Sequence, residues 1–401
     1  MTLRFTLLAA TCLFAAGAIA QPAPTPPVAP PVPQPGAAEP MMQAKPPGIA
    51  SSPEGGKKEQ KWDVSARHGP GHDVTIDTTE GTWMNLDVSP DGREIVFDLL
   101  GDIYVMPIGG GEARAIATGN AWDMQPRYSP NGREIAFTSD RGGGDNIWVM
   151  NRDGSSPHAI TKETFRLLNG PEWTPDGNFI VARKHFTSSR SLGSGEMWLY
   201  HRSGVGSGVQ MTKARTKQKD SNEPVFSPDG RYLYFSDDAT PGEVFQYSKD
   251  PNGQIYVIQR LDRQTGEVAP YITGPGGAVR PTPSPDGKSI AFVRRIRGKS
   301  NLMLMDLKSG RMESLTDGLE RDMQETWAVH NVYPGISWTP DGRSIVYWAG
   351  GHIHRIDVAT RAVTDIPFHV TGSRFVEDAI HVDHPLGQDS FNVKMTRFAH
   401  A

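Results

Sequence analysis

Residues 128–151, YSPNGREIAFTSDRGGGDNIWVMN, contain the repeating unit that decides the fold of this chain. A Ser-Pro-Asn-Gly turn is followed by a strand-like run, EIAF, and then by a second run, NIWVM, after a glycine-rich loop. The same order recurs five more times, each time around Ser/Thr-Pro-Asp-Gly. The six turn prolines are 40 to 57 residues apart: Pro90, Pro130, Pro175, Pro228, Pro285 and Pro340. Repeats of this length are typical of solenoids and propellers.

Each repeat predicts four antiparallel strands. Proline presets φ at the first turn position, and glycine accepts the left-handed conformation after Asp or Asn. The second and third strands, such as EIVF (94–97) and DIYVM (102–106), are nearly continuous apolar runs, so both faces of each sheet must be covered. The β-branched and aromatic content excludes helical repeats. The sequence therefore predicts an all-β fold, a β-propeller of six four-stranded blades.

We assign residues 61–370 to this propeller, and its ring closure has two alternatives. Residues 72–81 match a fourth strand but precede the first blade, while residues 361–370 already supply the fourth strand of the sixth blade. The tail, residues 371–401, ends in DSFNVKMTRFAHA, which resembles the first strand of a further blade. Either the ring closes with six blades and a surplus strand, or a larger propeller is truncated before a further blade. The tail favours truncation.

The N-terminus predicts export. Residues 1–20 have the pattern of a signal peptide, with Arg4, a short apolar core and Ala-Ile-Ala before Gln21. That core is shorter than the roughly 20 residues of a membrane-spanning helix, so we expect no membrane span. Residues 21–60, rich in Pro, Ala and Gly, predict a disordered linker. The single cysteine, Cys12, lies inside the signal, and we expect a periplasmic or secreted protein without disulfides.

The repeat resembles the TolB-like family of WD-like β-propellers. A closer resemblance is to the propeller at the N-terminal end of exported amidohydrolase-family proteins, in which a metal-dependent hydrolase domain follows. The stretches that carry it are EGTWMNLDVSPDG (80–92), AWDMQPRYSPNG (121–132), FTSDRGGGDNIWVMN (137–151), DPNGQIYVI (250–258), GPGGAVRPTPSPDG (274–287) and RDMQETWAVH (321–330). No such domain is recognisable after these six repeats, and this departure from the family pattern puts any enzymatic activity of this chain in doubt.

The sequence contains no recognisable catalytic or metal-binding motif. There is no Gly-x-Ser-x-Gly elbow, no His-Glu-x-x-His pair and no cysteine pair. His352 and His354 form a His-x-His pair, but His354 occupies the place of Tyr104 and Trp148 in other repeats, which predicts a packing role. We therefore expect no catalytic residue, no metal and no cofactor. A net charge of −4 without a basic block argues against binding nucleic acid.

Binding is expected where the central channel opens opposite the Pro-Asp-Gly turns. The segments that enter the innermost strands and the longer loops meet on that face, and propellers bind partners at such places. For any one of the tryptophans, packing between blades is an equal alternative. The predicted binding residues are Trp122, Asp123, Gln125, Glu223, Arg280, Glu325, Trp327 and His330.

These observations leave three hypotheses for function. The first is an exported non-catalytic propeller that docks a protein or gates substrate for an amidohydrolase-like protein. The second is a stand-alone periplasmic TolB-like adaptor that binds envelope proteins or peptides at the channel mouth. The third is a part of a metal-dependent amidohydrolase whose catalytic domain lies outside this sequence.

Overall fold

The computed structural model describes residues 62–165, 167–187, 193–381, 397, 398 and 400. The predicted signal peptide, the linker and most of the predicted further strand lie outside these residues. The described strands form six four-stranded antiparallel sheets and one three-stranded sheet. Each four-stranded sheet contains one of the six repeats, and the described residues contain no helix. The predicted all-β propeller with six four-stranded blades is confirmed.

The first three blades follow the repeats in order. Blade 1 consists of β2 (Leu86–Val88), β3 (Glu94–Leu99), β4 (Asp102–Pro107) and β6 (Arg114–Ala117). Blade 2 consists of β7 (Asp123–Tyr128), β8 (Glu134–Ser139), β9 (Asn146–Asn151) and β10 (His158–Ala159). Blade 3 consists of β11 (Leu168–Trp173), β12 (Phe179–Thr187), β13 (Gly193–His201) and β14 (Val209–Gln210).

The other three blades repeat the same sheet order. Blade 4 consists of β15 (Ser221–Phe226), β16 (Tyr232–Asp238), β17 (Tyr256–Asp262) and β18 (Val268–Ile272). Blade 5 consists of β19 (Val279–Pro283), β20 (Ser289–Ile296), β21 (Lys299–Asp306) and β22 (Met312–Thr316). Blade 6 consists of β23 (Ser337–Trp338), β24 (Ser344–Ala349), β25 (His352–Asp357) and β26 (Val363–Ile366).

The six repeated turns have the geometry that the sequence predicts. The turn glycines all have φ between +68° and +71°, the left-handed region that a side chain would strain. In the first turn the Ser89 hydroxyl donates to Asp91 Oδ1 over 2.6 Å, and Asp91 accepts the Arg93 N–H over 3.1 Å. The bonds from Ser89 and Arg152 lower the pKa of Asp91 to about 2. We call the end of the ring that carries these turns the turn face and the opposite end the loop face.

An apolar cluster fills each junction between neighbouring blades, including the junction between blades 6 and 1. There, Phe97 of blade 1 belongs to the same buried cluster as Trp348 of blade 6. The Val88 N–H also donates to Ser337 Oγ over 3.1 Å. The ring therefore closes with six blades. This agrees with the alternative of a six-bladed ring with a surplus strand. The truncated larger propeller, which the tail favoured, is not observed in the described residues.

The surplus strand belongs to a separate sheet. Strand β1 (Gly71–Thr78) pairs antiparallel with β27 (Phe368–Glu377), which pairs in parallel with the short β5 (Gly111–Glu112). Phe368 and Val370 are buried in the cluster between blades 6 and 1. Strand β27 continues past residue 370. The expected boundary between the propeller and the tail at residue 370 therefore falls inside a strand.

Candidate functional site

A long connection between blades 5 and 6 lies across the loop-face end of the channel. We call residues 322–335 the crossing segment; they contain no strand. Asn169 Nδ2 donates to Val329 O over 3.0 Å, and Asn222 Nδ2 donates to Ala328 O over 3.3 Å. The Gly335 N–H donates to Asn85 Oδ1 over 2.9 Å. Because these partners belong to blades 3, 4 and 1, the segment covers the channel on this face.

A buried arginine holds the start of the crossing segment. Arg295 contacts Asp322 and Glu325, with both shortest N–O distances at 2.5 Å. Arg321 is a second, exposed partner of Glu325 at 2.8 Å. Burial alone would raise the pKa of Glu325, but hydrogen bonds from Arg295 and Arg321 outweigh it and lower the pKa to about 2. Glu325, a predicted binding residue, therefore serves as an anchor of this segment.

The two other predicted residues of the crossing segment differ in exposure. The Trp327 ring lies 5.4 Å from the His185 ring and is partly buried. His330 remains 43% exposed, with Nε2 2.9 Å from Asp145 Oδ2. Only His330 of this pair presents much of its side chain to solvent on the loop face.

A cavity of about 200 Å³ lies on the loop face between blades 1 and 2, and we call it the loop-face cavity. Three predicted residues, Trp122, Asp123 and His330, line it together with Trp83 and Asp98. The Trp122 side chain is 48% exposed. Burial raises the pKa of Asp98 to about 6 and also raises the pKa of Asp123, against the pull of Arg141. The cavity thus combines indole surface with poorly solvated carboxyl groups.

The predicted Gln125, Glu223 and Arg280 lie deeper, where each precedes a proline at a bulge in the innermost strand. Their φ angles are +58°, +59° and +57°, and the strand register shifts at each. Gln125 Oε1 accepts the N–H of Gly170, the equivalent position in blade 3, over 2.8 Å. Glu223 Oε2 accepts the N–H of Arg280 over 2.7 Å. These bonds connect neighbouring blades around the channel.

A second cavity, of about 190 Å³, lies in the channel and extends to Pro228 at the turn face. We call it the channel cavity. Its charged lining residues are Asp87, Arg127, Glu172, Glu223 and Arg280. Arg127 pairs with Asp87 and Glu172, each at 3.3 Å.

Arg127 and Asp87 were not predicted as channel residues. Both lie three positions before a turn proline, whereas Arg280 lies five positions before one. Glu172 and Thr282 also lie three positions before a turn proline and line the same cavity, so alignment of the repeats could have identified this position. The eight predicted residues consequently do not share one mouth. They divide among the loop-face cavity, the channel and the crossing segment, because the crossing segment folds over the end of the ring.

His354 packs within blade 6 as its place in the repeat predicts. Its ring lies 5.3 Å from the Tyr347 ring, Nδ1 lies 2.8 Å from Asp365 Oδ1, and Nε2 lies 3.0 Å from Ala349 O. Within the described ranges no group of three or more His, Cys, Asp and Glu side chains could hold a metal ion. The expectation of no metal and no cofactor stays a prediction.

Comparison with known proteins agrees with this architecture. Residues 71–246 match the family described as the TolB beta propeller domain. This stretch of the chain is therefore similar to a TolB beta propeller domain. TolB of the Tol-Pal system from Francisella tularensis subsp. mediasiatica is 28% identical to this propeller protein over 251 residues, which are 61% of this chain and 53% of that protein. The crystal structure of TolB from Acinetobacter baumannii superposes with a TM-score of 0.52 at 17% identity, covering 74% of this chain and 66% of that one.

The similarity also extends to part of a larger protein. The uncharacterized peptidase YuxL of Bacillus subtilis is 27% identical over 150 residues, which are 30% of this chain and 23% of that protein. The matched part of this chain thus spans about half of the F. tularensis TolB and about a quarter of YuxL. Over the part of the chain that the structure describes, no helix is long and apolar enough to cross a membrane.

Proposed function

We propose that this chain is an exported, non-catalytic β-propeller module that binds a protein or peptide partner at the loop-face cavity. The observation that carries the proposal is the exposed Trp122 indole, which lies with Trp83 and His330 around that cavity. Exposed tryptophans in concave sites are frequent anchors of protein interfaces. Export rests on the signal-like residues 1–20.

Within this proposal the eight predicted residues have two roles. Trp122 and His330 contact the partner, because they are the most exposed of the set around the loop-face cavity. The other six support this surface in different ways. Asp123 lines the same cavity. Glu325 and Trp327 belong to the crossing segment, and Gln125, Glu223 and Arg280 take part in the hydrogen bonds that connect neighbouring blades. The mixture of indole, imidazole and carboxyl groups suits a polar peptide better than a lipid.

Two kinds of partner are consistent with the proposal. The resemblance to propellers of exported amidohydrolase-family proteins favours a hydrolase domain whose substrate the propeller gates, either in the same protein or bound to it. The similarity to a Tol-Pal system protein favours an envelope protein instead. The mass of the protein isolated from its own cells tests for a fused hydrolase, because a further domain would add roughly 50–250 residues to this chain. If the mass is that of this chain, the partner recovered by cross-linking distinguishes a separate hydrolase from an envelope protein.

The binding site is tested with Trp122→Ala and His330→Ala in the exported protein. After cross-linking identifies a partner, its affinity is measured by calorimetry for both variants and for Trp62→Ala. Trp62 is 67% exposed and does not line the cavity, so it is a matched control. We expect about 2 kcal/mol of lost binding for Trp122→Ala and no loss for the control. Unchanged affinity in both variants, with a loss for the turn-face change Arg231→Ala, would place the interface on the opposite face.

A further inference from the structure

A third cavity, of about 620 Å³, lies between blades 4 and 5, and residues of both repeated turns line it. We call it the turn-face cavity. Its volume is about three times that of the loop-face cavity and falls within the range of about 300–1,000 Å³ that is usual for ligand sites. Tyrosines and prolines dominate its lining: Tyr232, Tyr234, Tyr271, Pro228, Pro283 and Pro285.

One backbone hydrogen bond marks an equivalent position in all six blades. The residue after the third strand donates its N–H to the carbonyl group of the residue after the turn glycine, as Arg152 does to Arg133 over 2.9 Å and Leu307 does to Lys288 over 2.8 Å. Three blades have arginine at this position, and the other three have apolar residues. The arginines are Arg152, Arg202 and Arg263, and the apolar residues are Ile108, Leu307 and Val358.

The arginines of blades 2 and 4 lie over the aromatic residue that ends the innermost strand of the same blade. Arg152 Cζ is 5.6 Å from the centre of the Tyr128 ring, and Arg263 Cζ is 5.2 Å from the centre of the Phe226 ring. Arg152 also reaches the preceding blade, where it pairs with Asp91 at 3.1 Å. A guanidinium group and an aromatic ring thus occupy the turn-face end of such a junction.

Blade 5 has neither of these two side chains. Leu307 takes the place of the arginine, and Pro283 takes the place of the aromatic residue. Both residues line the turn-face cavity. The space that the larger side chains occupy beside blades 2 and 4 is therefore open between blades 4 and 5.

The wall that blade 4 contributes consists of tyrosines and an arginine that stacks on them. Arg260 Cζ lies 4.6 Å from the centre of the Tyr232 ring and 4.5 Å from that of the Tyr271 ring. The Tyr234 and Tyr271 rings are 5.5 Å apart. Neither the three hydroxyl groups nor the Arg260 guanidinium forms a hydrogen bond with another residue of the described ranges. They are donors that a ligand with free acceptors could use.

The charges around the turn-face cavity balance. Asp229 and Asp286 line it together with Arg260, and Lys288 Nζ lies 3.3 Å from Asp286 Oδ2. Two carboxylates therefore face two cations, so neither an anion nor a cation gains from a net charge. The lining suits a neutral ligand with apolar rings and exposed acceptors.

We propose that the turn-face cavity binds a proline-rich segment of a partner protein in the polyproline II conformation. Such segments dock in grooves that aromatic side chains line. A polyproline II helix has no internal hydrogen bonds, and proline has no N–H. Its carbonyl groups are therefore free to accept hydrogen bonds from the tyrosine hydroxyls and from Arg260. This site lies on the opposite face from the loop-face cavity and does not depend on the function proposed above.

Calorimetry on the full chain tests the site with three neutral probes: capped octaproline, a capped Gly-Ser octapeptide and maltohexaose. We expect octaproline to bind at least tenfold more tightly than the Gly-Ser peptide, which has the same number of backbone carbonyl groups but is flexible and lacks rings. Equal binding of the two peptides would overturn the proposal. Tighter binding of maltohexaose than of octaproline would also overturn it and would assign the cavity to a sugar.

Two variants test the residues. Leu307→Arg introduces the arginine of blades 2 to 4, which could pair with Asp229 as Arg152 pairs with the turn aspartate of blade 1. It should fill the cavity and weaken octaproline binding at least tenfold without lowering the temperature of thermal unfolding. Tyr271→Ala removes part of the wall and should also weaken binding. Tyr247→Ala is the control and should not, because Tyr247 is 67% exposed and lies outside the cavity.

Undiminished octaproline binding by a folded Leu307→Arg protein would overturn the assignment. If that variant does not fold, undiminished binding by Tyr271→Ala would overturn it instead.

Discussion

The backbone N–H of Arg280 donates a hydrogen bond to Glu223 Oε2 over 2.7 Å, joining equivalent bulges of blades 5 and 4. The same oxygen accepts the Ser236 hydroxyl, while Glu223 Oε1 accepts the N–H groups of Val332 and Tyr333 at 2.8 Å and 2.9 Å. Glu223 therefore connects two blades to the crossing segment. One buried carboxylate thus stabilises both the ring and its cover.

Replacing Glu223 with Gln should destabilise the propeller by about 2–3 kcal/mol. The amide has one acceptor oxygen, so its NH2 group would face buried donors that lose their partner. Urea unfolding monitored by tryptophan fluorescence measures the change. Glu267→Gln, an exposed carboxyl of the same blade, is the control and should stay within about 0.5 kcal/mol. Equal stability of the two variants would show that Glu223 does not hold the ring.

Replacing Arg295 with Met should release the crossing segment. The change leaves Asp322, which is fully buried, without its guanidinium partner, and breaking a buried ion pair on one side costs about 3–5 kcal/mol. Limited proteolysis should then cut within residues 322–335 faster than in the unaltered protein.

Arg321→Ala is the matched control for that change. Arg321 also pairs with Glu325, but its side chain is 71% exposed, and exposed pairs contribute little. We expect its cleavage rate to match that of the unaltered protein. Similar rapid cleavage in both variants would mean that Arg295 has no special role.

Replacing Asp102 with Asn should stabilise the protein at neutral pH but not under acidic conditions. Burial raises the pKa of Asp102 from 3.8 to about 6, partly offset by Arg374. The protonated carboxyl therefore favours the folded state fully below about pH 3.8, and this contribution is lost as pH rises through 6. Asparagine stays uncharged throughout, so we expect a gain of about 1–2 kcal/mol at pH 7.5 that disappears near pH 4, measured by thermal unfolding.

Asp98 provides the contrasting case. Its pKa is also raised to about 6 by burial. However, its carboxylate accepts three donors: Asn85 N at 2.7 Å, Asn85 Nδ2 at 2.9 Å and Gln125 N at 2.7 Å. Asp98→Asn would turn an NH2 group toward some of these donors, so we expect it to destabilise the fold at pH 7.5. A gain in stability there would contradict the hydrogen-bond assignment.

Signal cleavage is expected between Ala20 and Gln21. The reason is the basic start, the short apolar core and the small residues Ala-Ile-Ala. Mass spectrometry of the N-terminus of the protein isolated from its own cells measures the site. A cytoplasmic protein that retains residues 1–20 would contradict the export proposal.

Local chemistry explains why the blades could be predicted. The bond between Ser89 and Asp91 and the positive φ of Gly92 arise within four consecutive residues. Such a turn joins the innermost strand of each repeat to the second strand. Strands joined by a tight turn pair with each other, so the order of strands in a blade is the order of strands in the sequence. The apolar runs then require that both faces of every blade be covered.

Long-range contacts explain why the binding residues were only partly predicted. Trp122 and His330 share the loop-face cavity as expected, although 208 positions separate them in the chain. Glu325 was expected to face a ligand but pairs with Arg295. No local pattern distinguishes a carboxylate that faces solvent from one that meets an arginine of a neighbouring blade.

The sequence by itself determined the repeat, the turn at each blade and the four strands of each blade, because these depend on dihedral preferences and apolar patterns within a few residues of each other. Only the tertiary structure decided that blades 6 and 1 meet, that Gly71–Thr78 pairs with Phe368–Glu377, and that the crossing segment covers the channel. It also decided that Arg127 pairs with Asp87 and Glu172 of the two neighbouring blades. These features depend on which distant side chains the closed ring brings within a few ångströms, and pairing at such distances leaves no local signature in the chain.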